Sequence, residues 1–228
     1  EGVHIRGISD GFRQLGHNVL FVSIPGVDVY ESVKCNTFKA DESNLWNVIS
    51  EYCPQLVFEV MELFYNVILY KNTRNILRKE KIDFIYERHA LNTFATTLLG
   101  KLYGVPVIQE INDATGISRI RRHKLEFIAR LIERWVFNNA AALITISSEF
   151  ERILLERGFP KDKISFVPNA VDPKIFSPED IDDSIRNTLG LQDKIVLGFV
   201  GSFAFWHGVE SILEIAPDLI RETPKVHF

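Results

Sequence analysis

The stretch "AALITISSEFERILLERGFPKDKISFVP", Ala141 to Pro168, reads as strand, helix, strand. Ala141 to Ser147 is an apolar, β-rich run. Ser148 is the expected N-cap of the helix that follows, and Gly158 its stop. "ISFVP", 164–168, is the second strand. A helix between two short apolar runs points to a crossover that returns the chain to a parallel neighbour.

The same alternation runs outward in both directions. β-rich runs occur at "NVLFVSI" (18–24), "IDFIYE" (82–87), "VPVIQEI" (105–111) and "KIVLGFV" (194–200), and "TPKVHF" reads as a strand beginning. In "IRGISDGFRQLG", Ile5, Ile8, Phe12 and Leu15 share one helical face and Gly16 stands at its end. "NTFATTLLGKLYG" and "GVESILEIAPDLIRE" are further helices. "LVFEVMELFYNVILY" carries Glu59, Glu62 and Asn66 and reads as a buried helix. Near-continuous apolar strands alternating with helices predict an α/β fold, a Rossmann-like parallel sheet with helices on both faces. Ligands of such sheets bind beyond the carboxyl ends of the strands. The loops after Ile24, Glu87, Glu110, Ile146 and Val200 are therefore where chemistry is expected.

Composition narrows the class. The 228 residues are 46% hydrophobic and 25% charged, with net charge −4. That is ordinary globular composition without a strongly basic nucleic-acid footprint. Two cysteines, Cys35 and Cys53, make no disulfide framework or zinc spacing and favour a reduced, cytoplasmic setting. There is neither a signal-peptide core nor an apolar run long enough to span a bilayer. The chain starts on Glu and ends as a strand begins, so a piece of a longer protein is expected. Residues 1–172 form the first expected domain, its first strand missing. Residues 173–190, rich in Pro and acid, are a linker with a short helix, and 191–228 open a second domain. "DIDD", Asp180 to Asp183, lies in that linker and reads as a solvated acidic turn.

Several strand-end groups invite chemistry, and each has a plainer explanation. In "FVGSFAFWHGVESIL", Gly201 permits a tight turn and Gly208 sits at a helix entry able to hold phosphate. Phe203, Phe205 and Trp206 suit a base, a sugar or a partner domain, and His207 can donate to an anion. A hydrophobic loop packed under a neighbour explains the same residues. Gly2 opens a helix that either binds phosphate or simply starts there. Glu110, Asn112 and Asp113 end a strand and suit hydroxyl recognition or acid–base work, or capping and an Asx turn. Glu87, Arg88 and His89 end another, with Arg88 able to orient Glu110, meet a ligand or form a local ion pair. Residues 118–135 combine Arg119, Arg121, Arg122, His123 and Lys124 with Phe127, Ile128, Leu131, Ile132 and Trp135. They fit an anionic membrane surface or a core helix with a charged face.

Taken in order, four stretches resemble glycosyltransferase family 4, retaining enzymes of the GT-B fold with two facing Rossmann-like domains. They are "EGVHIRGISDGFRQLGHNV", "YERHALNTFATTLLGKLYGVPVIQEIND", "ITISSEFERILLERGFPKDKISFVPNAVDPKIF" and "FVGSFAFWHGVESIL". The third, with its Pro-Asn-x-Val-Asp signature, is the most specific. The resemblance implies sugar transfer from a UDP- or GDP-linked donor to a saccharide, lipid-linked or small-molecule acceptor hydroxyl, with no metal and no further cofactor. It implies donor binding by Gly2, Gly201, Ser202, Trp206, His207 and Gly208, and an acceptor side at Arg88, Glu110, Asn112 and Asp113. Glu110 and Asn112 are the catalytic candidates.

The departures are specific. Ser202 and His207 stand where many members have Arg and Lys, and Asn112 where many have His. The family's Glu-x7-Glu motif lies beyond Phe228, so the 228 residues alone are expected to be inactive. A non-catalytic glycosyltransferase-like module and a nucleotide-sugar epimerase are the alternatives. A dinucleotide oxidoreductase fits least, because no complete Gly-x-Gly-x-x-Gly with a following acid is present.

Overall fold

The computed structural model describes residues 2–22, 55–116, 124–173, 177, 183–201, 203 and 207–228. The chain divides into two compact units, Glu1–Val171 and Asp172–Phe228.

The first unit contains α1 (Gly2–Gln14), α2 (Gln55–Lys79), β1 (Ile85–Arg88), α3 (Ala95–Tyr103), β2 (Val107–Ile111), α4 (Glu126–Asn139), β3 (Ala142–Thr145), α5 (Ser148–Glu156) and β4 (Ile164–Phe166). Its sheet has the order β1-β2-β3-β4, every pair parallel. One helix joins each strand to the next, as parallel neighbours require. The register sets Arg88 beside Glu110, and Glu110 beside Ile144.

Strand alternation sorts the helices onto two faces. Gln109 reaches Thr97 of α3, and Glu87 accepts from Thr96 of the same helix. Leu143, in register with Gln109, packs with Ile111, Val136, Phe137, Leu154 and Phe159 in the core. Glu110 and Tyr86 point the other way, toward α1, where His4 meets Glu110 and Phe12 packs on Phe84 and Tyr86. Helix α1 therefore runs back over the sheet from its carboxyl edge to its amino edge.

Helix α3 lies flush on β2 at Gly100. A Cβ there would come within 2.3 Å of Val107 Cγ2 and 2.8 Å of the Val105 carbonyl oxygen. The helix ends at Gly104, whose φ of 69° is a left-handed cap.

Polar residues of α2 hold the starts of two other helices. Asn66 Oδ1 accepts from the Phe94 and Ala95 N–H groups at 2.8 and 3.0 Å. Glu59 accepts from the Lys124 and Leu125 N–H groups at 2.8 and 2.6 Å. Neither α3 nor α4 has a side-chain bond from its own N-cap residue. Thus α2 supplies the missing acceptors from outside, and the Glu59 charge also suits the positive end of the α4 dipole.

Three sequence expectations change. The run at 18–24 forms no ladder over its described part, 18–22, because none of the described strands lies alongside it. The helix cap is Ser147, not Ser148: extended backbone at Ser147 brings its hydroxyl within 3.2 Å of the Phe150 N–H. Helix α2 is only partly covered. Glu59, Asn66, Leu69 and Thr73 are buried, while Phe64 is 69% and Val67 51% exposed.

The second unit holds α6 (Asp183–Leu189), β5 (Ile195–Val196), α7 (Val209–Glu222) and β6 (Val226–His227). Strands β5 and β6 are parallel, with α7 as the crossover between them. Backbone bonds continue the pairing to Leu197.

Candidate active site at the carboxyl edge of the first sheet

Strand β2 ends by delivering Glu110 to a cluster built from three elements. His4, from the first turn of α1, places Nε2 2.7 Å from Glu110 Oε1. Asn112, just past β2, donates its Nδ2 to the same oxygen at 2.6 Å. Tyr86 of β1 donates its hydroxyl to Oε2 at 2.6 Å. A carboxylate only accepts, so His4 carries a proton on Nε2. Arg88 is looser, its Nε 4.0 Å from Oε1.

Glu110 is 2% exposed. Burial pushes its carboxyl up, but the bonds from Asn112, Tyr86 and His4 together hold it below the usual carboxylate range. The Tyr86 phenol is pushed well above its ordinary value, first by burial and then by its bond to Glu110. It therefore stays protonated and donating at neutral pH.

The neighbouring strand-end residues separate. Glu87 lies on the opposite face, accepting from Thr96 Oγ1 at 2.5 Å and Gln109 Nε2 at 2.6 Å. Burial raises its carboxyl above the ordinary range, and the two hydrogen bonds only partly offset this. His89 is buried, its ring 4.7 Å from that of Phe137 and its Nε2 3.9 Å from Glu133. The structure thus unites Arg88, Glu110 and Asn112 and sends Glu87 and His89 elsewhere. Asp113 follows Asn112 and is half-buried. Gly2, at the start of α1, lies in the same turn as His4.

A second group fixes the loop after Asn112. Glu133 of α4 accepts from the Thr115 N–H and hydroxyl, both at 2.7 Å, and from Arg157 at 2.9 Å. Arg157 also donates to the Thr115 carbonyl at 2.5 Å. The chain from Asn112 to Gly116 is therefore held at both ends.

Among the donor-side candidates, Gly201, His207 and Gly208 are in the second unit. Ser202 and Trp206 lie outside the described residues. Gly208 has φ 63° and stands at the N-cap of α7, which has no side-chain cap bond. The Phe199 ring contacts those of Phe203 and His207 at centroid distances of 5.8 and 5.9 Å. At least part of this aromatic loop therefore packs on itself.

Of the segment 118–135, residues 118–123 lie outside the described residues. Phe127 and Leu131 of α4 are 74% and 55% exposed, while Ile132 and Trp135 turn to the core. Among the described helices, none is long and apolar enough to cross a membrane.

Sequence reasoning missed His4 and Tyr86. The strand period had a signal for Tyr86, since it shares a parity with Arg88. His4 meets Glu110 across 106 positions, and no local pattern announces that contact.

Residues 2–175 match the model of Glycosyltransferase Family 4. The chain belongs to this family. Among its relatives, a phosphatidylinositol N-acetylglucosaminyltransferase subunit from Arabidopsis thaliana is 25% identical over 68% of this chain and 33% of its own length. D-inositol 3-phosphate glycosyltransferase of Stackebrandtia nassauensis is 31% identical over 57% of this chain and 32% of its own. The GPI3 subunit of phosphatidylinositol N-acetylglucosaminyltransferase of Saccharomyces cerevisiae is 24% identical over 99% and 48%. The chain thus spans a third to a half of the length of the curated relatives it matches. Anabaena Alr3699/HepE in complex with UDP superposes with a TM-score of 0.47 and 17% identity, over 64% of this chain and 38% of the other.

Proposed function

We propose that this family 4 chain is part of a glycosyltransferase that moves a sugar from a UDP- or GDP-linked donor to an acceptor hydroxyl, with retention at the anomeric carbon. The family match across residues 2–175 carries the proposal. The Glu110 cluster supports a site at the strand ends, where α/β sheets bind ligands.

The proposed division of labour follows from hydrogen-bond capacity. Glu110 is a poor general base, because its carboxyl is held ionised by three donors. It acts as a positioning residue that fixes His4, Tyr86 and Asn112. With Nδ2 committed to Glu110, Asn112 offers its amide oxygen to an acceptor hydroxyl. Arg88, 32% exposed at its side chain, supplies positive charge for an acidic acceptor group. Asp113 completes the acceptor side. On the donor side, Gly2, Gly201, Ser202, Trp206, His207 and Gly208 are the proposed contacts, with helix starts serving the diphosphate. The three inositol-directed relatives make phosphatidylinositol and inositol phosphate the first acceptors to try.

The test uses the full-length protein with UDP- and GDP-sugars and those acceptors, with product configuration read by NMR. Acceptor-dependent nucleotide release and a retained anomeric centre support the proposal. Product formed without an acceptor favours an epimerase. Binding without turnover favours a non-catalytic module, a reading prompted by Ser202 and His207. The 228 residues alone are expected to be inactive. Peripheral membrane contact through residues 118–135 is proposed from the exposed Phe127 and Leu131. Failure to bind anionic liposomes at low salt removes it.

A further inference from the structure

The side chains of the Glu110 cluster differ in what they can do with a proton. Arg88 is always charged, and the Asn112 amide takes up no proton. Tyr86 keeps its phenolic proton, because burial and the bond to Glu110 push it well above its ordinary value. Glu110 is 2% exposed, and both its oxygens already accept from His4, Asn112 and Tyr86. His4 remains. Imidazole is the side chain that gains and loses a proton near neutral pH. With the Nε2 proton directed at Glu110 2.7 Å away, the neutral ring has its lone pair on Nδ1. The His4 side chain is 29% exposed, so a ligand can reach the ring where it cannot reach the carboxylate.

His4 Nε2 and Asn112 Nδ2 converge on the same oxygen, Glu110 Oε1, at 2.7 and 2.6 Å. The imidazole and the amide are therefore neighbours, each with one acceptor atom that Glu110 does not use. A buried carboxylate that fixes a more exposed imidazole in one tautomer is the arrangement in which imidazole serves as a base. The same carboxylate stabilises the imidazolium once it forms.

We propose that His4 is a catalytic general base of the sugar transfer, its Nδ1 taking the proton of the reacting acceptor hydroxyl. The inference rests on the transferase reading. The hydroxyl oxygen bonds to the anomeric carbon as the bond from that carbon to the donor phosphate oxygen breaks. The bonding pair leaves with the nucleoside diphosphate, and the hydroxyl proton passes to Nδ1. In a one-step transfer with retention, the hydroxyl enters on the face that the diphosphate leaves. Glu110 stays ionised and offsets the charge on the ring, which then releases the proton to solvent. Asn112 Oδ1 holds a neighbouring hydroxyl of the acceptor, so Asn112 serves binding and His4 serves the chemical step.

The test uses the full-length protein, phosphatidylinositol or inositol phosphate as acceptor, and the UDP- or GDP-sugar that supports acceptor-dependent nucleotide release. His4→Gln keeps an amide donor for Glu110 and an oxygen for the hydroxyl but cannot hold the proton. Its kcat is expected to fall about 100-fold or more, with the acceptor KM within about threefold of wild type. His4→Ala is expected to be as slow and to regain at least about tenfold in kcat with added imidazole, more basic methylimidazoles rescuing better. A fall of less than about threefold in His4→Gln overturns the proposal. So does a raised acceptor KM with kcat unchanged, which makes His4 a binding residue. Loss in both variants that no imidazole relieves makes His4 a prop of α1 and also overturns it. Absence of acceptor-dependent release from the wild type removes the transferase reading and this role together.

Discussion

At the residue scale, two carboxylates on neighbouring strands show how environment sets chemistry. Glu110 meets three donors on the α1 face, and Glu87 meets two under α3. Their titrations are expected to split, Glu110 below the ordinary 4.5 and Glu87 above it, in a carboxyl-carbon NMR titration. Tyr86→Phe removes one donor and should move Glu110 upward toward its ordinary value. Because the folded-state value of Glu110 is depressed, its ionised form stabilises the fold above the unfolded value, and that contribution is lost as pH falls through the folded one. Glu110→Gln should therefore cost about 1–3 kcal/mol at pH 7 in urea unfolding, for the donors left poorly paired. The gap to wild type should narrow steadily below pH 4.5. A gap independent of pH would mean that Glu110 is not held as a carboxylate.

At the scale of elements, the polar residues inside α2 are fasteners. Glu59, Glu62 and Asn66 fall at helical spacing on one side and bind Lys124, Leu125, Asn92, Phe94 and Ala95. Asn66→Leu should destabilise by about 2–3 kcal/mol, since it orphans the buried Ala95 N–H and weakens the start of α3. An exposed-site effect of a few tenths would contradict that role. Gly100→Ala should cost about 1–3 kcal/mol, because the added methyl overlaps both Val107 and the Val105 carbonyl. Thermal unfolding against Gly104→Ala separates the two causes. The second change strains only a left-handed cap and should cost about 1 kcal/mol.

The element scale also shows what was legible in the sequence. Strands at 82–87, 105–111, 141–147 and 164–168 were visible as apolar runs, and each forms a shorter ladder within or near those bounds. Gly16 and Gly158 marked the ends of helices, and both have positive φ. The ladder at 18–24 was not decided locally, because a strand exists only with a neighbour. The Ser147 cap depended on one extended residue that a Ser-Ser pair leaves ambiguous. At the site, Glu110 and Asn112 were visible because they end an apolar strand. The partners that determine the charge of Glu110 were not, since His4 comes from the far end of the chain and Tyr86 through strand register.

At the scale of the molecule, the first unit is a parallel α/β layer whose carboxyl edge gathers residues from α1, β1 and β2. Family membership and that gathering together motivate an acceptor site at Asn112, steadied by Glu110 on one side and by Glu133 with Arg157 on the other. The most direct test is acceptor-dependent nucleotide release by the full-length protein, wild type against Asn112→Ala. The expected result is release in the wild type, an acceptor KM raised at least about tenfold in the variant, as loss of about 1.4 kcal/mol of binding would give, and unchanged donor hydrolysis without acceptor. An unaltered acceptor KM, or no nucleotide release from any UDP- or GDP-sugar in the wild type, would contradict it.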